Sequence, residues 1–264
     1  MLEGELLLMG ILGSSALLAA FATIWSRHLG RACRNMEVRK VTEQAAHALE
    51  RRRSAIAVLA VTGIVGPILF AVVAVVHSLL RSDHSLVALP ISALATGPSG
   101  WVQDVNFLIT GIVLLAYPIG LHLEVRQRRW GAVGSALLVL SGAGLVLAGV
   151  FPAVDASGAF SNEQVGHTVA AFIAFLGTGI GLIVISRRLA GDPRWRDLAA
   201  YTLATGIATV VLFFGFGALA EQPGALLHPW MGLFQWVMVA VWLTCTVVLS
   251  FRLLRVTRAA DAPR

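Results

Sequence analysis

Histidine, aspartate, arginine and serine are the side chains from which hydrolytic, metal and proton-transfer chemistry are built. Residues 77 to 104, HSLLRSDHSLVALPISALATGPSGWVQD, hold all four in a chain that is otherwise largely aliphatic. His77, Arg81, Asp83, Ser92 and Asp104 come from this stretch; Asp155, His167 and His228 lie further along and complete a candidate polar cluster. Three arrangements of these residues are chemically distinct. In the first, His77, His167 and His228 ligate a metal such as zinc, and Asp104 or Asp155 acts as base toward a metal-bound water attacking a lipid or other amphiphile. No HxxxH or HExxH spacing occurs, so the imidazoles would have to converge from separate helices. In the second, His77 and His167 are the axial pair of a haem. In the third, the cluster binds a ligand or is structural. Arg81 then pairs with Asp83 or Asp155, while Ser92, Asp104 and His167 satisfy the backbone of a loop folded over a helix bundle through Pro90, Gly97, Pro98 and Gly100. The third arrangement needs no cofactor, and none is expected; zinc and haem belong only to the first two. No residue is assigned a catalytic role.

The elements that must position these groups follow from composition. Of 264 residues, 57% are hydrophobic and only 13% charged, and the mean hydropathy is +0.80; the solvent for most of this chain is lipid. Seven apolar runs, at residues 6–25, 55–80, 101–123, 131–150, 165–186, 198–219 and 231–251, are each long enough to cross a hydrocarbon core, which takes about 20 helical residues. The fold expected is an all-α polytopic transmembrane bundle of seven spans, one leading helix and a six-helix core. Assigning the connections alternately to two sides gathers 19 of the 20 Lys and Arg on one side, with Arg81 the exception. By the positive-inside rule that side is cytoplasmic, which places the N-terminus outside, the C-terminus inside and the chain in a cytoplasmic (inner) membrane. Basic residues distributed in this way point to lipid headgroups and not to nucleic acid.

The organisation expected is a leading helix at 1–25, a basic amphipathic cytoplasmic linker at 26–54, the core at 55–251 and a tail at 252–264. Glu3 and Glu5 precede the first run and Arg27 follows it, the reverse of a secretory signal. In the linker Val38, Val41, Ala45 and Leu49 recur at helical spacing, so it is expected to lie on anionic lipid or to dock a larger membrane complex. Trp25, Trp101, Trp130, Trp195 and Trp230 fall at span ends and are expected as interfacial anchors. Small residues at one face of 165–186 and of 131–150 predict packing seams. Mid-span positions carry no Asp, Glu, Lys, Arg or His, which argues against proton relays and ion-coupled transport. The sole lysine, Lys40, lies in the linker, so a retinal Schiff base inside a helix is excluded.

Three stretches, ISALATGPSGWVQDVNF at 91–107, GAGLVLAGVFPAVD at 142–155 and VGHTVAAFIAF at 165–175, resemble the bacterial membrane proteins grouped as domain-of-unknown-function family 998. The resemblance covers roughly residues 58 to 255. It implies a six-helix bundle with His77, Ser92, Gly97, Gly100, Trp101, Gly149, Pro152, Asp155 and His167 as patterned positions, and it implies no reaction. The extra segment 1–54 departs from that pattern. Together these readings favour a non-transporting membrane protein with a polar extracytoplasmic cap, an accessory or assembly subunit or a binder of a lipid-like ligand. A metal-dependent hydrolase acting at the outer leaflet is the alternative.

Overall fold

A computed structural model describes residues 2–125, 131–151, 153 and 161–259. Helices dominate it: α1 (Leu2–Leu80), α2 (Trp101–Glu124), α3 (Gly131–Val150), α4 (Asn162–Ala190), α5 (Ala199–Phe216) and α6 (Met231–Ala259), with no strand among the described residues. Among those residues, six helices are long and apolar enough to cross a membrane. The chain divides into two compact units, Met1–Arg52 and Arg53–Arg264.

In the first unit the backbone is helical throughout its described length. Residues 26–54 contain no proline and a single glycine, and are rich in Ala, Glu, Leu and Arg, so nothing in that stretch stops a helix. From Glu37 to Arg52 its side chains are exposed, including Val38, Val41 and Leu49. Arg39 and Glu43 form an i,i+4 ion pair at 2.8 Å on that surface.

The second unit is a bundle with its large apolar side chains on the outside as well as the inside. Leu79, Leu80, Ile112, Val211 and Phe214 are more than half exposed, which is the surface a lipid-facing bundle presents. Close approach inside is bought with small residues. A Cβ on Gly144 would sit 2.5 Å from the Ala174 backbone nitrogen, and one on Gly111 would sit 2.6 Å from that of Val146. Where α3 meets α4, Ser141 Oγ donates to the Ala174 carbonyl at 2.8 Å and bonds the Thr178 hydroxyl at 2.5 Å. Hydroxyl-to-backbone bonds of this kind hold helices together where no water competes.

At the end of the bundle where α4 and α6 carry their arginines, ion pairs join the connections. Arg194 reaches Asp192 at 2.8 Å and Glu124 at 2.6 Å, Arg252 pairs with Asp197, and Arg188 donates to the Val125 carbonyl at 2.9 Å. Trp195 departs from the anchor role expected of it. It is fully buried in the core with Leu189, Leu249 and Leu253, because the turn after α4 tucks its indole under the helices instead of outward. Trp101 and Trp230 are exposed as an anchor must be.

Candidate functional site

At the opposite end of the bundle, residues 81–100 form a cap rather than a free loop. Its centre is a 3-10 turn, Ile91–Ala95, with Ile91 and Leu94 buried against Phe70, Phe107 and Trp242. A buried turn must have its backbone groups satisfied by the protein. Arg81 does most of this. Its Nη1 donates to the carbonyls of Leu94 at 3.1 Å and Thr96 at 2.8 Å, while Nε and Nη2 grip Asp83 at 2.9 and 2.5 Å. Gly97 adopts φ +76° beside that guanidinium, a conformation that favours glycine, so the chain can turn tightly around the arginine. Two further bonds fasten the cap to α6: Ile91 N–H donates to Gln235 Oε1 at 2.5 Å, and Leu233 N–H donates to the Val87 carbonyl at 3.1 Å. Gly232 lets this happen, since a Cβ there would run into the Leu89 carbonyl.

The imidazoles each have separate tethers. His84 Nε2 lies 3.3 Å from the Pro90 carbonyl, which can only accept, so Nε2 carries the proton and Nδ1 accepts from Ser78 Oγ at 2.7 Å. Burial pushes the His84 pKa down, partly countered by that carbonyl. Asp83, held by Arg81, is pulled down to about 2. His77 is buried at the last turn of α1 and shares a 3.1 Å bond between Nε2 and Ser99 Oγ. His167 donates from Nδ1 to the Phe151 carbonyl at 2.8 Å and meets Phe107 edge-on at 6.2 Å. His228 donates from Nδ1 to the Ala220 carbonyl at 2.8 Å.

The sequence-derived cluster is therefore brought together only in part. Arg81 and Asp83 pair, and His77 lies in the same cap. Ser92 is half-buried in the 3-10 turn, and among the described residues no hydrogen bond joins it to the others. Asp104 is half-buried in the first turn of α2 with one carboxylate oxygen lacking a partner. Asp155 lies outside the described residues. His77, His167 and His228 hold separate backbone or hydroxyl partners, and among the described residues no three His, Cys, Asp or Glu come together to hold a metal. The sequence-derived cluster leaves out Ser78, His84, Ser99, Gln103, Asn106 and Gln235, each of which bonds a partner in the cap or beneath it. One signal was there to be read: Gln103, Asn106 and Thr110 recur at i, i+3, i+7 on an otherwise apolar helix.

A different surface lies on the flank of the bundle. Between α1 and α6 there is a cleft of about 260 Å³ lined by Pro67, Ile68, Ala71, Trp236, Leu243 and Val247, among other residues. Its wall is almost wholly apolar, and Ile68 is half exposed at its edge. Trp236 keeps its buried indole N–H without an acceptor.

A family model described as "Protein of unknown function (DUF998)" matches residues 64–252, well over half of the chain. The chain belongs to this family. The DUF998 match takes in the cap, its fastenings and the cleft, and leaves out the first unit. No curated protein and no solved structure matches the chain.

Proposed function

We propose that this DUF998 protein is a lipid-binding, non-transporting protein of the bacterial inner membrane, in which the flank cleft seats an acyl chain beneath a fastened extracytoplasmic cap. The cleft is the observation that carries the reading. It is apolar and open sideways, and its walls, Pro67 to Ala71 and Trp236 to Val247, belong to stretches that span the hydrocarbon core on hydropathy. Pro67 contributes by lacking an N–H, which leaves one carbonyl of the preceding turn outside the helix ladder.

The test is native mass spectrometry of the protein released from native-membrane nanodiscs. The intact chain is expected to retain lipid, and Ala71→Phe with Ala240→Phe, which fill the cleft, are expected to lose it while thermal unfolding stays unchanged. Equal lipid retention by the filled variant overturns the reading.

The orientation belongs to the same proposal: cap outside, arginine-bearing end in the cytoplasm, supported by the Lys and Arg asymmetry. Residues 6–25 are assigned a seventh crossing, N-terminus out, and residues 1–54 a docking role toward lipid or a larger membrane complex. An N-terminal reporter found in the cytoplasm would remove that span.

A further inference from the structure

At the arginine-bearing end of the second unit, charge is out of balance. Seven described arginines between residues 187 and 258 meet three described carboxylates, Glu124, Asp192 and Asp197. All three carboxylates are already engaged, Glu124 and Asp192 by Arg194 at 2.6 and 2.8 Å and Asp197 by Arg252. Arg188 is buried and spends its donors on the Val125 carbonyl and the Ser135 hydroxyl. The other four, Arg187, Arg196, Arg255 and Arg258, are exposed, and among the described residues no carboxylate pairs with them.

Three of these four are held near one another. Arg252 Nη1 donates to the Arg194 carbonyl at 2.8 Å and its Nη2 reaches Asp197, which fastens the connection carrying Arg196 against the end of α6. Along α6, Leu249, Leu253 and Thr257 are buried in the bundle, while Phe251, Arg255 and Arg258 recur at i, i+4, i+7 on the exposed side. An exposed phenylalanine below two arginines repeats the order of a phospholipid, hydrocarbon below and phosphate above. The depth agrees. Arg196 and Arg255 lie two and four residues beyond the apolar runs 198–219 and 231–251, at most about 6 Å of helix rise. The headgroup layer outside the hydrocarbon is roughly 5–8 Å thick on each side. Arg258 stands one turn further out, on a side chain long enough to reach back.

We propose that Arg196, Arg255 and Arg258 form a headgroup site for an anionic phospholipid, its phosphodiester shared between the α4–α5 connection and the last turns of α6. Guanidinium forks match phosphate oxygens two at a time, and no acid of this end is left to compete for them. A zwitterionic headgroup brings its own cation to an already positive rim and is disfavoured. An acidic soluble protein would satisfy the charge but not the exposed Phe251 beneath it. The site is separate from the flank cleft and does not rest on the acyl-chain reading, because it selects by headgroup and the cleft by hydrocarbon.

Native mass spectrometry of the full chain, released from nanodiscs of equal parts phosphatidylglycerol and phosphatidylcholine with matched acyl chains, tests it. Matched chains leave the cleft unable to discriminate, so the ratio of retained lipids reports the headgroup alone. The intact chain is expected to retain phosphatidylglycerol in excess, and that excess to fall about fivefold for each arginine removed in Arg196→Gln, Arg255→Gln and Arg258→Gln. The triple lysine variant, which keeps the charge and loses the fork, is expected to keep part of it. Circular dichroism and thermal unfolding check that each variant folds, and the single substitutions serve if the triple glutamine variant does not. No excess in the intact chain, or an excess unchanged in the folded glutamine variants, overturns the proposal; so does arginine-dependent capture of an acidic protein without headgroup preference. The cleft-filled Ala71→Phe/Ala240→Phe variant is expected to keep the excess in whatever lipid it retains, so failure of the cleft reading and failure of this site are read separately.

Discussion

At the scale of single residues, Arg81 decides whether the cap exists. It is the one basic residue on its side of the sequence, and its guanidinium serves two buried carbonyls and a carboxylate at once. Arg81→Ala is expected to cost about 2–4 kcal/mol, since it strands the Leu94 and Thr96 carbonyls; Arg81→Lys is expected to recover only part of it. Limited proteolysis within residues 81–100 and thermal unfolding in detergent measure both. His84 makes the cap sensitive to acid. Its folded pKa lies below the ordinary value because burial disfavours the imidazolium. The unfolded chain, titrating near 6.5, therefore binds more protons in that range, and stability rises with pH. The contribution is full above about pH 6.5 and is lost as pH falls through the folded pKa. Among the described residues, His77, Arg81 and Asp83 are the titratable groups facing it. Proteolysis of the cap is expected to accelerate between pH 7 and pH 5, and His84→Gln to remove that dependence. Asp83 acts lower: held down at about 2, its pairing is present above the usual carboxylate range and is lost as pH falls toward that value.

At the scale of elements, helix contact depends on glycines that admit neighbouring backbone. Gly144→Val and Gly111→Val push a side chain into main-chain atoms that cannot move aside, and each is expected to cost about 1–3 kcal/mol by overpacking. Gly215→Ala is the control, since its Cβ meets only the Phe234 ring at 3.4 Å. Folded yield and unfolding temperature in one detergent compare the three. The same elements show what periodicity reveals and what it hides. The six apolar runs from 55–80 to 231–251 were readable because hydropathy and length suffice to delimit a helix in lipid. The helical continuity of residues 26–54 was half-readable, from absent proline and abundant helix formers. The 3-10 turn at Ile91–Ala95 was not, because turn residues announce a loop without saying that the loop is buried.

At the scale of the whole molecule, arginines at one end of the bundle and cap groups at the other predict a fixed orientation. With Cys33 and Cys245 replaced by serine, a cysteine at Ser85 or Gln222 is expected to react with an impermeant maleimide in intact cells, and one at Arg258 only after lysis. The reverse pattern would invert the topology. What the amino-acid order determined by itself is solvent and architecture: apolar runs of spanning length, arginines segregated by side, and small residues where helices touch, all properties of short windows. The tertiary structure alone decided which polar groups share space. His77, His167 and His228 look alike along the chain, yet one bonds a serine of the cap and the others bond carbonyls of their own connections. Gln103, Asn106, Gln235 and Ser99 gained their meaning only when helices distant in sequence were laid side by side. Partners are assigned by packing, and packing is a relation between windows that no single window contains.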